Sequence, residues 1–380
     1  MAGPPSTLLA EPAPLDSGGG RWRVAAGALG GMALSAALVG GGYAFGVRDG
    51  DEPVPVVQES AATPAIATPD QQSDAPATTA PPLTQGDEVE PVTAVARALS
   101  PSVVRIDTGA GQGSGIVWDA ANGYIVTNDH VTSGASNVSV LFDTGVEVSG
   151  VVIGGDSARD IAVVQVDPDE VDLVAATFAP TETVEVGALA VAVGSPFGLD
   201  QSVTAGIVSA VNRINIFGGS DPANPVPVAM IQTDAPINPG NSGGALANRD
   251  GHVIGMNTSI RTESGDNAGV GFAVPSDTIV LIAERIVNGE SLELGFLGVS
   301  GDTPTDGSLG ALVTDVVAGR PAEDAGIEIG DLIISVNGSV VATMEELAAD
   351  FKLFRPGEQV DVEVLRNGER VSLSVTVGSN

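Results

Sequence analysis

At 380 residues the chain is long enough for about two domains with cores of their own, and its 48 Asp and Glu against 15 Lys and Arg give a formal net charge of -33. That balance excludes a nucleic-acid binder, which needs a basic surface to neutralise phosphate. The absence of cysteine excludes disulfides, cysteine-ligated zinc and thiol nucleophiles, and leaves His130 and His252 as the two residues that could act as an imidazole base.

Residues 24–47 (VAAGALGGMALSAALVGGGYAFGV) carry no charge. At 1.5 Å per residue they can cross a hydrocarbon core of about 30 Å. Arg21 and Arg23 precede the segment, whereas Arg48 is followed by Asp49, Asp51 and Glu52. The positive-inside rule therefore predicts a cytoplasmic tail over residues 1–23, a transmembrane helix over 24–47 and an extracytoplasmic remainder, which makes a single-pass cell-membrane protein. A cleaved signal peptide ending near residues 44–46 is the competing reading, but the apolar run exceeds the usual length of such a segment. Residues 48–90 form a Pro/Ala/Thr-rich acidic linker with a reach of roughly 35 Å if flexible.

Beyond the linker, EPVTAVARALSP predicts a short helix that starts at Pro91, stops at Ser100-Pro101 and sets Val92, Val95 and Leu99 on one face. Short strand-like runs follow: SVVRIDT, GSGIVWD, YIVTNDHV, NVSVLFD, EVSGVVI, DIAVVQV, ALAVAVG, VTAGIVSAV, ALANRDGHVIGMN and GVGFAVP. So many strands with almost no helix between them argue for antiparallel barrels or a sandwich. Helical periodicity returns in SDTIVLIAERIVNG, with Ser276 as cap, Ile279, Ile282, Ala283 and Ile286 on one face, and Gly289 as stop. A first domain over residues 91–290 follows.

Within that domain, PINPGNSGGAL sets Ser242 between Gly240 and the pair Gly243-Gly244. GNSGG also fits the G-x-S-x-G elbow of α/β-hydrolases, but a hairpin with an Asp-Gly turn follows the serine, and the one later histidine is His252 in its second strand. The chain offers instead the order His130, Asp160, Ser242. A serine hydroxyl needs a neutral imidazole to take its proton, and the imidazole needs a carboxylate to fix its tautomer. Glycine suits an oxyanion hole, where backbone N–H groups turn inward in a tight loop, and the expected donors are those of Gly240 and Ser242.

TNDHV, DSARDIAVVQV, SPFGLDQSVTAGIVSA, IQTDAPINPGNSGGAL and GVGFAVPSD, occurring in that order, resemble the HtrA (Deg) family of serine proteases. The resemblance implies an all-β, chymotrypsin-like double β-barrel, hydrolysis of peptide bonds in unfolded or specific proteins, extracytoplasmic quality control or stress response, and a homotrimer. Carried over, the catalytic set is His130, Asp160 and Ser242, with Asp160 rather than Asp156 taken from DSARD. Asn241 stands where many secreted chymotrypsin-like proteases have an aspartate, so activation by loop rearrangement is expected, in segments 236–241, 259–268 and 215–227. Ile237 falls where an S1 wall residue would sit and would favour small or medium apolar P1 residues; a core role is the alternative.

The segment 291–380 reads as an α+β module. Thr343 and Glu346 form a capping box, Met344, Leu347, Ala348, Phe351 and Phe354 follow at helical spacing, and Asn337-Gly338 and Asn367-Gly368 are hairpin turns. GFLGVS and AGRPAEDAGIEIGDLIISVNG resemble a PDZ domain. That resemblance implies that Leu297 and Gly298 receive a peptide C-terminal carboxylate and that the peptide adds as a strand beside Val299, near Leu347. Leu297 and Leu347 could equally be core residues.

The acids at 167, 169, 170 and 172 lack calcium-loop spacing and read as a solvated turn, His252 reads as a strand surface residue, and GQGSG is followed by strand rather than helix. No cofactor or metal is implied. Two functions remain: an active membrane-anchored endopeptidase, or a PDZ scaffold or chaperone whose catalytic head is silent.

Overall fold

The computed structural model describes residues 90–195, 202–217, 226–238, 240–258 and 269–379. The expected tail, the apolar 24–47 segment, almost all of the linker and the 259–268 loop lie outside them. Among the described residues no helix is long and apolar enough to cross a membrane.

Helix α1 (Pro91–Leu99) buries Val95 and Leu99, as its spacing predicts. The first barrel follows, from β1 (Val103–Asp107), β2 (Gln112–Asp119), β3 (Tyr124–Thr127), a single helical turn α2 (Asp129–Thr132), β4 (Asn137–Leu141), β5 (Glu147–Asp156) and β6 (Ile161–Val166). It closes in the order β1-β2-β3-β6-β5-β4. The second barrel contains β7 (Leu189–Gly194), β8 (Ser202–Phe217), β9 (Val226–Thr233), β10 (Ala245–Ala247), β11 (Val253–Thr258) and β12 (Gly271–Pro275), closed in the order β10-β11-β12-β9-β8-β7. Closure leaves neither sheet with a free edge. Helix α3 (Ser276–Val287) packs on strands of both barrels through Ile279, Ile282 and Ala283.

Runs such as VVRI, GIVW and AVVQV are apolar at successive positions because both faces of these strands are buried. In β2 and β3, Val117 and Ile125 belong to the core of the first barrel, while Ile116 and Val126 join the layer shared with the second. In the second barrel, Ala192 and Leu246 face one cluster, and Val193 and Ala245 the shared layer. Full burial of each such aliphatic side chain stabilises by about 1.5–3 kcal/mol, so the shared layer fixes how the barrels meet.

The C-terminal unit runs β13 (Gly295–Phe296), β14 (Val299–Asp302), β15 (Ala311–Val316), α4 (Pro321–Asp324), β16 (Leu332–Val336), β17 (Ser339–Val340), α5 (Met344–Phe351), β18 (Gln359–Arg366), β19 (Glu369–Thr376) and β20 (Gly378–Ser379). Its six-stranded sheet is ordered β14-β15-β16-β18-β19, with β17 beside β16. Asn337 and Gly338 both have positive φ (49° and 83°) and so do Asn367 and Gly368 (53° and 87°), as tight hairpin turns require.

Four expectations are corrected. YIVTNDHV is not strand throughout, because Asn128 turns the chain into α2. The supposed 215–227 loop is shorter, since β8 continues to Phe217 and β9, hidden by Pro227, begins at Val226. Ser276 does not cap α3: Pro275 holds that position, and the serine hydroxyl donates to the Ala179 carbonyl at 2.5 Å. Phe354 lies beyond the end of α5, yet it still packs edge-on against Phe351 with ring centroids 5.5 Å apart. The capping box is present, with Thr343 accepting from Glu346 N–H at 3.0 Å, although the Glu346 carboxylate reaches Ala342 N–H rather than that of Thr343.

One ion pair anchors this unit. Asp331 is fully buried and accepts two hydrogen bonds from Arg366, at 2.8 and 2.7 Å, and one from Glu328 N–H at 2.9 Å. Burial opposes its ionisation, but the Arg366 guanidinium and the Glu328 N–H outweigh burial and lower its pKa. Arg366→Ala leaves that carboxylate buried and unpaired, so the full-length chain should lose on the order of 2–3 kcal/mol in the C-terminal transition, read as a lowered midpoint by calorimetry. An unchanged midpoint would remove the pair from the stability of this unit.

Candidate active site

Asp160 is the best-held side chain of the candidate triad. It has φ of +58°, a left-handed backbone rare outside glycine, and its side chain is 4% exposed. Its carbonyl accepts from Asn128 Nδ2 at 3.0 Å. Its carboxylate accepts from the backbone N–H of His130 at 3.1 Å and from the Thr258 hydroxyl at 2.9 Å, and both its oxygens stand 2.9 Å from His130 Nδ1. His130 sits on α2 of the first barrel and Thr258 ends β11 of the second. Asp156, the other acid of DSARD, turns away and pairs with Arg159.

Burial disfavours a charged His130, but the Asp160 hydrogen bond and charge, helped by the charge of Asp129, outweigh it and raise its pKa above the ordinary 6.5. Asp129 is itself raised, chiefly by burial, against the hydrogen bond that it accepts from Ser157 at 2.5 Å.

Ser242 is 5% exposed and its carbonyl accepts from Ser114 N–H of β2 at 2.8 Å. Beside Ser114, Gly113 lies between the two arms of the site: a Cβ there would stand 2.6 Å from Val131, next to His130, and 3.1 Å from the Ser242 carbonyl. Gly240 has φ of +101°, and its carbonyl accepts from the Ser114 hydroxyl at 2.6 Å. Gly243, at φ of +82°, lies so close to β2 that any Cβ would run into the Ser114 carbonyl. Gly243 thus lets the loop approach the first barrel more closely than any side chain would allow, and Gly244 does the same against the Val193 carbonyl of β7 in the second barrel. His130 and Asp160 are in direct contact, and the Gly240 and Ser242 carbonyls lie against Ser114 of β2 in the same barrel. Ile237, 9% exposed, belongs to the core of the second barrel and packs against Gly271.

A second constellation lies in the C-terminal unit. Leu297, Gly298, Val299 and Leu347 line a cavity of about 100 Å³ together with Phe296, Met344, Ala348, Phe351 and Lys352. Leu297 and Leu347 are also buried in the local core. Lys352 Nζ and the Arg320 guanidinium stand 5.7 and 5.3 Å from the centre of the Phe296 ring.

A family model for a trypsin-like peptidase domain matches residues 113–256, and one for a PDZ domain matches residues 295–377. A solved structure described as the HtrA-type protease AlgW with tripeptide is 33% identical, with a TM-score of 0.61 over 76% of this chain and 97% of that one. The chain belongs to the HtrA family of serine proteases. Among curated relatives, this HtrA chain is 40% identical to a probable periplasmic DegP-like serine endoprotease of Halomonas elongata and 37% identical to the periplasmic pH-dependent serine endoprotease DegQ of Escherichia coli K12. It is 38% identical to the serine protease Do-like HtrA of Bacillus subtilis. These matches cover 70–71% of the HtrA chain, which spans 56–64% of the length of these relatives.

Thr258, Ser114, Arg320 and Lys352 escaped the sequence reading. No local pattern marks a hydroxyl that reaches Asp160 across 98 positions. The two cations could have been suspected from charge alone, in a chain with only 15 Lys and Arg.

By NMR, the His130 ring should titrate above the ordinary histidine value. Asp129→Asn removes one of the carboxylates that raise it and should move that titration to lower pH; an unmoved titration would show that the Asp129 charge does not reach the ring.

Proposed function

We propose that this chain is a membrane-anchored, extracytoplasmic serine endopeptidase that cleaves unfolded or specific proteins in quality control or stress response. Ser242 is the nucleophile. His130 takes its proton and returns it to the leaving amine, and Asp160 holds the imidazole with Nδ1 protonated and stabilises the imidazolium. The N–H groups of Gly240 and Ser242 receive the developing oxyanion. The observation that carries the reading is the buried Asp160 carboxylate held against His130 Nδ1 at 2.9 Å.

The division of labour is a peptidase domain over residues 91–290 and a PDZ domain over 291–380, tethered by the 48–90 linker to an anchor at 24–47, with residues 1–23 in the cytoplasm. The periplasmic location named for the relatives from Halomonas elongata and Escherichia coli supports an extracytoplasmic site of action. The PDZ groove takes a peptide C-terminus: the strand adds beside Val299, the carboxylate lies at Leu297 and Gly298 with Lys352 and Arg320 beside it, and the last side chain enters the cavity at Leu347. The lining by Phe296, Leu297, Val299, Met344, Leu347 and Phe351 favours an apolar last side chain. Ile237 limits the P1 residue to a small or medium apolar one from its place in the second barrel. The working assembly is a homotrimer.

Ser242→Ala should lower cleavage of an unfolded protein by a factor on the order of 10⁶ and abolish labelling by a fluorophosphonate, while peptide binding to the PDZ domain persists. Undiminished cleavage by that variant would exclude Ser242 as nucleophile, and a wild-type chain that neither labels nor cleaves would leave a scaffold or chaperone as its role.

A further inference from the structure

Ser114 stands fully buried in β2, with its hydroxyl, N–H and carbonyl all in use. The hydroxyl donates to the Gly240 carbonyl at 2.6 Å and accepts from the Ser195 N–H at 2.8 Å, while the backbone N–H donates to the Ser242 carbonyl at 2.8 Å. The Ser114 carbonyl accepts from the hydroxyl of Thr127, the last residue of β3, at 2.6 Å. One residue of a barrel strand therefore holds, by their carbonyls, the two residues whose N–H groups are the proposed oxyanion donors.

The loop needs such a hold. Gly240 has φ of +101° and Gly243 φ of +82°, and glycine passes between left- and right-handed backbone with little penalty. An oxyanion hole accelerates acyl transfer only if its donors already point at the developing charge, so that no reorganisation accompanies the reaction. The Asn241 N–H bonds to the Asn238 carbonyl at 3.0 Å and the Gly244 N–H to the Asn241 carbonyl at 2.9 Å, which ties the loop to itself. The second barrel holds it at Gly243, whose N–H donates to the Asn257 carbonyl at 2.9 Å, and the first barrel holds it at Gly240 and Ser242 through Ser114. His130 belongs to the first barrel, so Ser114 sets the loop against the barrel that carries the base. A hydroxyl has one proton to give, and the Ser195 N–H occupies its acceptor side, so the bond to Gly240 has a fixed direction.

We infer that Ser114 is a positioning residue for the oxyanion hole: its hydroxyl keeps the 240–242 segment in the one conformation that presents the Gly240 and Ser242 N–H groups to the tetrahedral intermediate. This rests on the proteolytic reading above. Gly113 permits the close approach, because a Cβ there would stand 3.1 Å from the Ser242 carbonyl and 2.6 Å from Val131, next to His130. The bonds of Ser114 go to the loop, to Ser195 and to Thr127, so loss of its hydroxyl acts on the hole and spares the His130–Asp160 pair.

The test uses the full chain and an internally quenched peptide substrate, with kcat and KM determined separately from about pH 5 to 8.5 in wild type, Ser114→Ala and Ser114→Thr. Ser114→Ala removes a single oxygen atom. It should lower kcat by about 10- to 100-fold at constant KM, short of the roughly 10²–10³ lost when a donor itself is removed, and leave the acid limb of the profile where it is. A peptide boronic acid separates the hole from the rest of the cleft: the Ser242 oxygen adds to boron, its proton passes to His130, no group leaves, and one oxygen of the tetrahedral adduct occupies the hole. Its Ki should rise in Ser114→Ala by about the factor that kcat falls, whereas the same peptide ending in an amide, which forms no tetrahedral centre, should bind within about twofold of wild type. Ser114→Thr retains the hydroxyl and should recover most of both losses. Wild-type kcat in Ser114→Ala, or a kcat loss matched by an equal loss of amide binding, overturns the inference. A wild-type enzyme that neither cleaves nor binds the boronic acid overturns the proteolytic reading instead.

Discussion

The structure depends on how one buried carboxylate is satisfied. An ionised aspartate with almost no exposure is tolerated only when hydrogen-bond donors replace the water it has lost. Asp160 receives His130 through backbone and ring from the first barrel, and Thr258 from the second. Two separate closed sheets therefore have to meet at that point, and the shared layer of Ile116, Val126, Val193, Met256 and Ile279 is what brings them there. The same requirement explains Gly243, because the Ser242 loop has to lie against Ser114 of the first barrel where a Cβ would not fit.

What was legible in the sequence follows from this division. His130 stands out in a chain with two histidines and no cysteine, whereas the choice of Asp160 over Asp156 comes from the family resemblance; it is Asp160 that lies against the His130 ring, while Asp156 pairs with Arg159. Most strands were readable as well, since burial on both faces leaves unbroken apolar runs. β9 was not: Pro227 mimics a loop, and only pairing with β8 makes a strand of VPVAMIQT. Ser276 has the composition of a cap but bonds instead across 97 positions to Ala179, where tertiary contact overrides local preference. Thr258 and Arg159 act through partners distant in sequence, and no periodicity encodes such partners.

The electrostatics of the domain junction run against the rest of the chain. A protein with a net charge of -33 gathers Arg159, Arg285, Lys352 and Arg355 there. Burial, together with repulsion from Arg159, lowers the pKa of both Lys352 and Arg285. Desolvating that much like charge is costly, and apolar residues would hold the domains together at least as well. What the cations supply is direction. Arg159 and Arg285 donate to the carbonyls of Lys352 and Leu353 at the end of α5, where the helix dipole places partial negative charge, while Lys352 and Arg355 turn to the Gly295 carbonyl and to Glu290.

Holding a non-glycine residue in a left-handed backbone costs on the order of 1–3 kcal/mol. Asp160 meets that cost because its surroundings over-determine it: Asn128 Nδ2 donates to its carbonyl, and the His130 N–H and the Thr258 hydroxyl donate to its carboxylate. A net hydrogen bond contributes about 0.5–1.5 kcal/mol, and more when the acceptor is charged, so these bonds together outweigh the strain and hold the carboxylate where it orients His130.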